Sequence, residues 1–330
     1  MNNDKIVRIA IAGTGKIAEE VMRMLHTDFA GRIEVTGIYA RKQSVEHAID
    51  LMMAYAPKGF VYDDYDRMLA EAEADYIYIA NANHVHYHYA TKALMAGRHV
   101  ICEKPIAVDR AQTEMLMDNA LISGRYCLPA FSLLYMPLFR QLVDVLPQLG
   151  TVRMLQCNFA QYSSRYDRYK EGIITPVFDP EMAGGCLRDL NIYNLCFCIA
   201  LFGPPFAMNH FCNKGYNGVD TSGALVLRYR DFVATLTASK DSDGLNYGCI
   251  QGENGYIEVK GTVSIMEEFT LHLRGKEPVT YRAEEGRHRL SYEFEEFRNL
   301  LVDEPNCHIQ TYYLTRVAQE IAATLERMIE

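Results

Sequence analysis

A chain of 330 residues exceeds the size at which one core usually stops growing, so two domains of roughly 100 to 200 residues are expected. Its 49% hydrophobic and 23% charged content, without a low-complexity tract, excludes an extended disordered chain. A net charge of -9, a pI near 5.6 and no block of Lys or Arg disfavour nucleic acid and membrane surfaces as partners and leave small molecules.

The opening MNNDK runs directly into a strand pattern, with no basic segment followed by an apolar signal stretch. IVRIAIAG (6 to 13) is apolar at nearly every residue, as a strand buried on both faces must be, and a helix with Val21, Met24 and Leu25 on one face follows. Next come strand EVTGIYA (34 to 40), a helix over 44 to 55, strand FVY (60 to 62), a helix over 64 to 72, strand DYIYIA (75 to 80), a helix over 87 to 96 and strand HVICE (99 to 103). Alternation of this kind predicts a doubly wound parallel sheet with right-handed crossovers.

The texture changes from Thr151 onward. TVRMLQCNFAQ, GALVLRY, FVATLTAS, YGCIQG and YIEVK are closely spaced strands separated by turn residues such as GENG at 252 to 255. They predict a large, mainly antiparallel open sheet with helices on one face, an α+β domain. The run Leu195 to Phe202 is far shorter than the roughly 20 residues that span a bilayer. A last amphipathic helix carries Leu314, Val317, Ala318, Ile321 and Leu325. The expected division is 1–125 and 126–330, with the last helix able to pack back on the first domain. The nine cysteines are irregularly spaced, which predicts reduced thiols and a soluble, cytoplasmic protein.

Gly13-Thr14-Gly15-Lys16-Ile17-Ala18 lies between the first strand and the first helix. In this GxGxxA pattern the first glycine permits a tight turn and the second lets the backbone approach a pyrophosphate. The small sixth residue allows close packing, and the helix N-terminus supplies N–H donors. A Rossmann dinucleotide site is therefore expected. The second strand ends Tyr39-Ala40-Arg41-Lys42, with no carboxylate to hold an adenosine 2′-hydroxyl. Space and two cations there favour NADP over NAD, the alternative being a solvated turn.

HVICEKPIAVD (99 to 109) ends a buried strand on Glu103, Lys104 and Pro105. Strand ends at the carboxyl edge of a doubly wound sheet face the ligand crevice, so Lys104 is a candidate acid/base; the tripeptide alone would equally suit a strand-end ion pair. His84, His86 and His88 fall at a turn and helix start without further ligands, so no metal is expected.

ANANHVHYHYATKALMAGRHVICEKPIAVD resembles the glucose-fructose oxidoreductase, inositol dehydrogenase and rhizopine catabolism (Gfo/Idh/MocA) family, in which a strand, an Asn-x-x-His turn, a helix and a Glu-Lys-Pro strand follow in order. AGGCLRDLNIYN (183 to 194) is similar to that family's second motif, GGGxLxDxGxH/Y, and QYSSRYDRY with Tyr193 looks closest to its dimeric dihydrodiol dehydrogenase branch. The resemblance implies hydride transfer between NADP or NAD and a secondary alcohol or ketone of a sugar, polyol or cyclic diol. It makes Lys104 the principal acid/base, Tyr193 a second proton donor or acceptor and Asp189 the orienting group. Asp189 and Tyr193 are four apart and would share a helix face.

By the same resemblance Gly13, Thr14, Gly15, Lys16, Ile17, Ala40, Arg41, Lys42, Asn81, Asn83, His86, Glu103 and Lys104 bind cofactor, Glu103 reaching the nicotinamide ribose. Lys104, Arg165, Asp189 and Tyr193 meet substrate, the Lys104-Pro105 peptide is cis, and the protein is a homodimer or homotetramer. Ala82, Ala183 and Asn191 depart from the family's proline and glycines, and Phe131 to Pro137 lacks the arginine many relatives carry, which makes the pocket less suited to an anionic substrate unless Arg165, Tyr166 and Arg168 compensate. Two alternatives stay open: a dinucleotide-binding regulator without turnover, and a glycosidase that oxidises its substrate transiently with bound NAD.

Overall fold

The computed structural model describes residues 5–328. They form two compact units, residues 5–130 with 287–318, and residues 131–286 with 319–328.

In the first unit β1 (Val7–Ala12), α1 (Lys16–Asp28), β2 (Ile33–Tyr39), α2 (Val45–Tyr55), β3 (Phe60–Tyr62), α3 (Tyr65–Glu71), β4 (Tyr76–Ile79), α4 (His86–Met95), β5 (His99–Glu103), α5 (Arg110–Ser123) and β6 (Cys127–Ala130) alternate along the chain. All strand pairs are parallel, in the order β3-β2-β1-β4-β5-β6. β1 and β4 are buried almost throughout because helices cover both faces of the sheet. The order reverses between β1 and β4, and the carboxyl ends of strands at such a reversal form the ligand crevice of doubly wound folds.

β6 was not expected as a strand. Its sequence, CLPA, contains Pro129, which cannot donate to a ladder but is tolerated on an edge strand, and β6 is the sheet's edge. Because it pairs with β5, the first unit extends to Ala130 rather than to the expected 125.

The second unit contains α6 (Pro137–Val145), β7 (Val152–Ala160), α7 (Tyr166–Lys170), α8 (Ile192–Phe202), β8 (Ala207–Lys214), β9 (Asp220–Arg228), β10 (Val233–Ser239), β11 (Tyr247–Gly252), β12 (Gly255–Lys260), β13 (Glu268–Leu273) and β14 (Val279–Arg282). The eight strands run β14-β13-β12-β11-β7-β10-β9-β8, and only β7 and β10 are parallel neighbours. One face carries Leu155, Cys157, Leu225, Leu227, Ala234 and Leu236, all buried, and α8 packs on β7 and β10. The segment Pro180–Phe202 is long and apolar enough to cross a membrane, yet 67% of its window is buried, as in the core helix of a globular sheet. On the other face Phe211, Met154 and Tyr247 stand exposed.

Two last helices follow, α9 (Arg289–Val302) and α10 (Thr311–Glu326). α9 lies against α1 and β1 of the first unit, where Ser291 Oγ donates to Asp28 Oδ2 at 2.6 Å and Arg289 pairs with Glu20 at 3.0 Å. Ala318 of α10 joins the core of the same unit.

Candidate active site

The loop after β1 is shaped by glycine chemistry. Gly13 sits at φ +122, and a Cβ there would meet the Ala80 carbonyl oxygen at 2.6 Å, so β1 and β4 approach too closely for any side chain. Gly15, the residue before α1, has open space above its Cα and provides no side-chain cap, which leaves the first N–H groups of α1 to an outside acceptor. Lys16 is exposed, while Thr14 and Ile17 are half-buried. Across the loop, Asn81 Oδ1 is buried without a hydrogen-bond partner among the described residues. An uncapped helix start, a glycine cradle and an orphaned polar atom fit a dinucleotide pyrophosphate lying over residues 13–17.

At the end of β2, Ala40 is buried and its N–H donates to Tyr62 O at 2.9 Å. Arg41 and Lys42 are exposed where the chain turns into α2. Arg41 also faces Tyr89, whose hydroxyl burial pushes up to about 12.

β5 delivers Glu103 and Lys104 to the same sheet edge, and the Lys104-Pro105 peptide is cis. Glu103 turns inward: Oε1 accepts from Tyr78 OH at 2.5 Å and Oε2 from the Lys104 backbone N–H at 3.3 Å. Burial raises its carboxyl, opposed by the Tyr78 hydroxyl and the Lys104 charge. His86 is also turned inward, 1% exposed, with Nδ1 2.7 Å from Pro105 O and Nε2 3.0 Å from Asn81 O. Burial holds the ring below its ordinary 6.5, so only one of these nitrogens carries the donating proton. His86 thus ties the turn after β4 to the turn after β5. Asn83 is half-buried, and His84 and His88 are exposed on either side.

Nothing in the sequence singled out Glu293 of α9. It is 0% exposed, both carboxylate oxygens lack a partner among the described residues, and burial together with the Glu103 charge drives it well above its ordinary 4.5. The folded protein therefore keeps a proton that the unfolded carboxyl loses above about pH 4.5. The stability associated with this group is complete below that pH and is lost as pH rises towards the folded value. Glu293→Gln removes the titration, so its stability should gain on the parent protein by up to about 1.4 kcal/mol per pH unit between about pH 5 and 7. Urea unfolding across that range measures the divergence; parallel pH curves would show that Glu293 is ionised or paired.

In the second unit the AGGC lead-in is held by backbone constraints. A Cβ on Gly184 would meet Pro176 O at 2.5 Å, and Gly185, at φ +111, packs against the Asp220 carboxylate. Ala183 stands where the family motif has glycine and keeps its left-handed backbone, φ 54, at a cost of about 1–2 kcal/mol. Asp220 Oδ2 accepts from the Leu187 N–H at 2.6 Å and so caps the helix that follows, a long-range cap invisible to local pattern.

That helix opens with a π-helical turn, Leu187–Asn191, before continuing as α8. The expected shared α-helical face of Asp189 and Tyr193 is therefore interrupted by the wider turn. Asn191 replaces a family glycine with a function: its Nδ2 donates to Leu236 O at 3.0 Å, and Asn194 Nδ2 donates to Asn191 Oδ1 and Thr237 O, fastening the π turn to β10. Tyr193 is half-buried with its ring centroid 6.0 Å from that of Phe159. Asp189 Oδ2 accepts from Lys240 Nζ at 2.6 Å, a partner that sequence reasoning missed. Arg165 is half-buried just before α7, its N–H donating to Ser163 Oγ at 3.3 Å.

Residues 7–130 match the oxidoreductase family with an NAD-binding Rossmann fold, and residues 140–258 match the GFO/IDH/MocA C-terminal domain. The chain is 30% identical over 304 residues to scyllo-inositol 2-dehydrogenase (NADP(+)) of Bacillus subtilis (strain 168), covering 90% of this chain and 88% of that protein. It is 29% identical over 171 residues to trans-1,2-dihydrobenzene-1,2-diol dehydrogenase of Sus scrofa, half of this chain and 49% of the relative. Among solved structures, a 3-ketoreductase from Actinomadura kijaniata in complex with NADP and TDP-benzene superposes with a TM-score of 0.83 over 98% of this chain and 97% of that one, at 20% identity.

Proposed function

The chain belongs to the GFO/IDH/MocA family of oxidoreductases, and on that premise we propose that it moves hydride between NADP and a secondary alcohol, or the corresponding ketone, of a sugar, polyol or cyclic diol. The observation that carries this reading is the common sheet edge: the glycine cradle after β1 and Lys104 after β5 lie at the carboxyl ends of strands in one parallel sheet. The nicotinamide, when bound, supplies the hydride chemistry, and the protein supplies position, charge and proton transfer.

Lys104 is the principal acid/base, giving a proton to a developing alkoxide or taking one from a hydroxyl. Tyr193 is a second proton donor or acceptor, Asp189 orients the substrate hydroxyls, and Arg165 contributes to substrate contact. Residues 13–17, Asn81 and Asn83 hold the dinucleotide, with Glu103 at the ribose. His86 serves by fixing Asn81 and Pro105. The missing arginine in 131–137 suits an uncharged substrate. The open face of the second sheet, with Phe211 and Tyr247, is the surface through which a homodimer or homotetramer forms, and the protein works in the cytoplasm.

Ala40, Arg41 and Lys42 select NADP through its 2′-phosphate. Arg41→Ala should weaken NADP about 10- to 100-fold and leave NAD unchanged, the loss expected for one charge-assisted contact. Thermal-shift titration with each cofactor reads this directly, because ligand binding to the folded state raises the melting temperature with concentration. A larger shift with NAD than with NADP in the parent protein would overturn the assignment. Net NADPH formation on mixing with an inositol tests the reaction itself; cofactor binding without release of NADPH would favour a regulator or a transient oxidation instead.

A further inference from the structure

Lys240, directly after β10, is 2% exposed, an unusual place for an ammonium group. Its Nζ donates to Asp189 Oδ2 at 2.6 Å and to Val177 O at 3.1 Å, and it stands 4.7 Å from the centre of the Phe178 ring. These contacts direct the ammonium to two oxygens and an aromatic face. The backbone at this residue is fixed as well. Lys240 N–H donates to Thr221 O at 2.8 Å, and Lys240 O accepts from Ser163 N–H at 2.9 Å. Val177 O also accepts from Gly185 N–H at 3.1 Å, so one carbonyl joins the lysine to the glycine lead-in of the motif helix.

We infer that Lys240 is a positioning residue for the reaction, holding the half-buried Asp189 carboxylate charged and in one orientation through an ion pair whose lysine end is buried. The inference rests on the proposed role of Asp189. A site that needed only volume behind Asp189 would be filled by Met or Leu without the desolvation cost of an amine. The neighbouring carboxylates Asp220 and Asp241 have partners of their own. Asp220 caps Leu187 and faces His210 of β8, and Asp241 accepts from Ser222 Oγ at 2.9 Å. Cys186, among these carboxylates, has its thiol pushed up by burial and by Asp220 and stays neutral. Arg188 and Tyr193 share the element that carries Asp189. Lys240 is a cation joined directly to Asp189, Nζ to Oδ2 at 2.6 Å.

The test compares Lys240→Met, Lys240→Arg, Asp189→Asn and the double variant Asp189→Asn/Lys240→Met. Lys240→Met should lower kcat/KM about 10- to 100-fold, the loss of one directed charge contact. It should also move the acid limb of the pH profile of kcat/KM upward by about one unit or more, because a carboxylate without its cation takes up a proton more readily. The thermal shift with NADP should stay as in the parent protein, since the cofactor fingerprint lies in the other unit. Lys240→Arg should retain the position of the acid limb. The double variant, with no buried charge left unpaired, should regain melting temperature and remain slow.

A purely structural lysine would behave otherwise: in folded Lys240→Met the acid limb would stay where it is and kcat/KM would match the parent protein's. That pattern would overturn the inference. Full activity of Asp189→Asn alone would instead remove the role given to Asp189, and so distinguishes failure of the underlying reading from failure of the lysine's role.

Discussion

Lys104→Met is expected to lower kcat by about 10²- to 10⁴-fold, the range contributed by a positioned acid or base, while NADP binding measured by thermal shift stays intact. Methionine keeps the length and most of the volume of the lysine stem, so the strand end and the turn around Pro105 retain their packing. What is lost is the group that exchanges a proton. Lys104→Arg separates charge from proton transfer: the guanidinium stays positive but does not deprotonate, so that variant should remain slow. Single-turnover mixing of the variant with NADP and polyol would place the loss in the chemical step. Turnover equal to the parent in Lys104→Met would remove Lys104 from the mechanism.

The surroundings of Lys104 explain why its place was legible in the sequence and its support was not. HVICE announces a buried strand by composition, and Glu-Lys-Pro directly after it can only lie at the strand's carboxyl end. The parallel order of β1, β4 and β5 then brings it to the edge that carries the glycine cradle. The inward turn of Glu103 depends on Tyr78, the next-to-last residue of β4, and on α9, nearly two hundred positions away. No local periodicity encodes such a meeting. His86 illustrates the same limit, for the Asn-x-x-His spacing locates the histidine at a helix start. Whether its ring faces ligand or closes on Pro105 O is decided by how β5 ends.

The second unit repeats the pattern. Much of the sheet was legible because its strands alternate, although β6 in the first unit and β8, β13 and β14 towards the ends of the second sheet were not read as strands. The motif 183–194 was legible from its glycines, Asp189 and Tyr193. Its shape was not, because the π turn is held by Asn191 reaching Leu236 and by Asp220 capping Leu187, both across the chain. Lys240 in TASKDSDG reads locally as a solvated charge followed by acids. Only the fold places it behind Asp189 with 2% exposure.

Gly13→Ala should abolish tight NADP binding and destabilise the first unit by about 2–6 kcal/mol. The estimate adds backbone strain of about 1–3 kcal/mol for a side chain at positive φ to about 1–3 kcal/mol for overpacking. At φ +122 the new methyl would point at the Ala80 carbonyl oxygen, 2.6 Å away, and at the Asn81 amide nitrogen, 3.1 Å away. These are backbone atoms directly after β4 and cannot rotate aside. Relief requires the ends of β1 and β4 to part, and Gly13 N–H, which donates to Tyr39 O at 3.0 Å, resists that movement from the side of β2. The loop would therefore rise into the space a pyrophosphate needs and would carry the first N–H groups of α1 with it. Gly15→Ala is the control: its Cβ meets nothing within 4 Å, so stability should hardly change, while a methyl in the open space over the helix start should weaken the cofactor alone. Urea unfolding and NADP titration on the two variants separate a fold defect from a ligand clash. Equal stability of Gly13→Ala and Gly15→Ala would show that β1 and β4 have room to spare at the switch point.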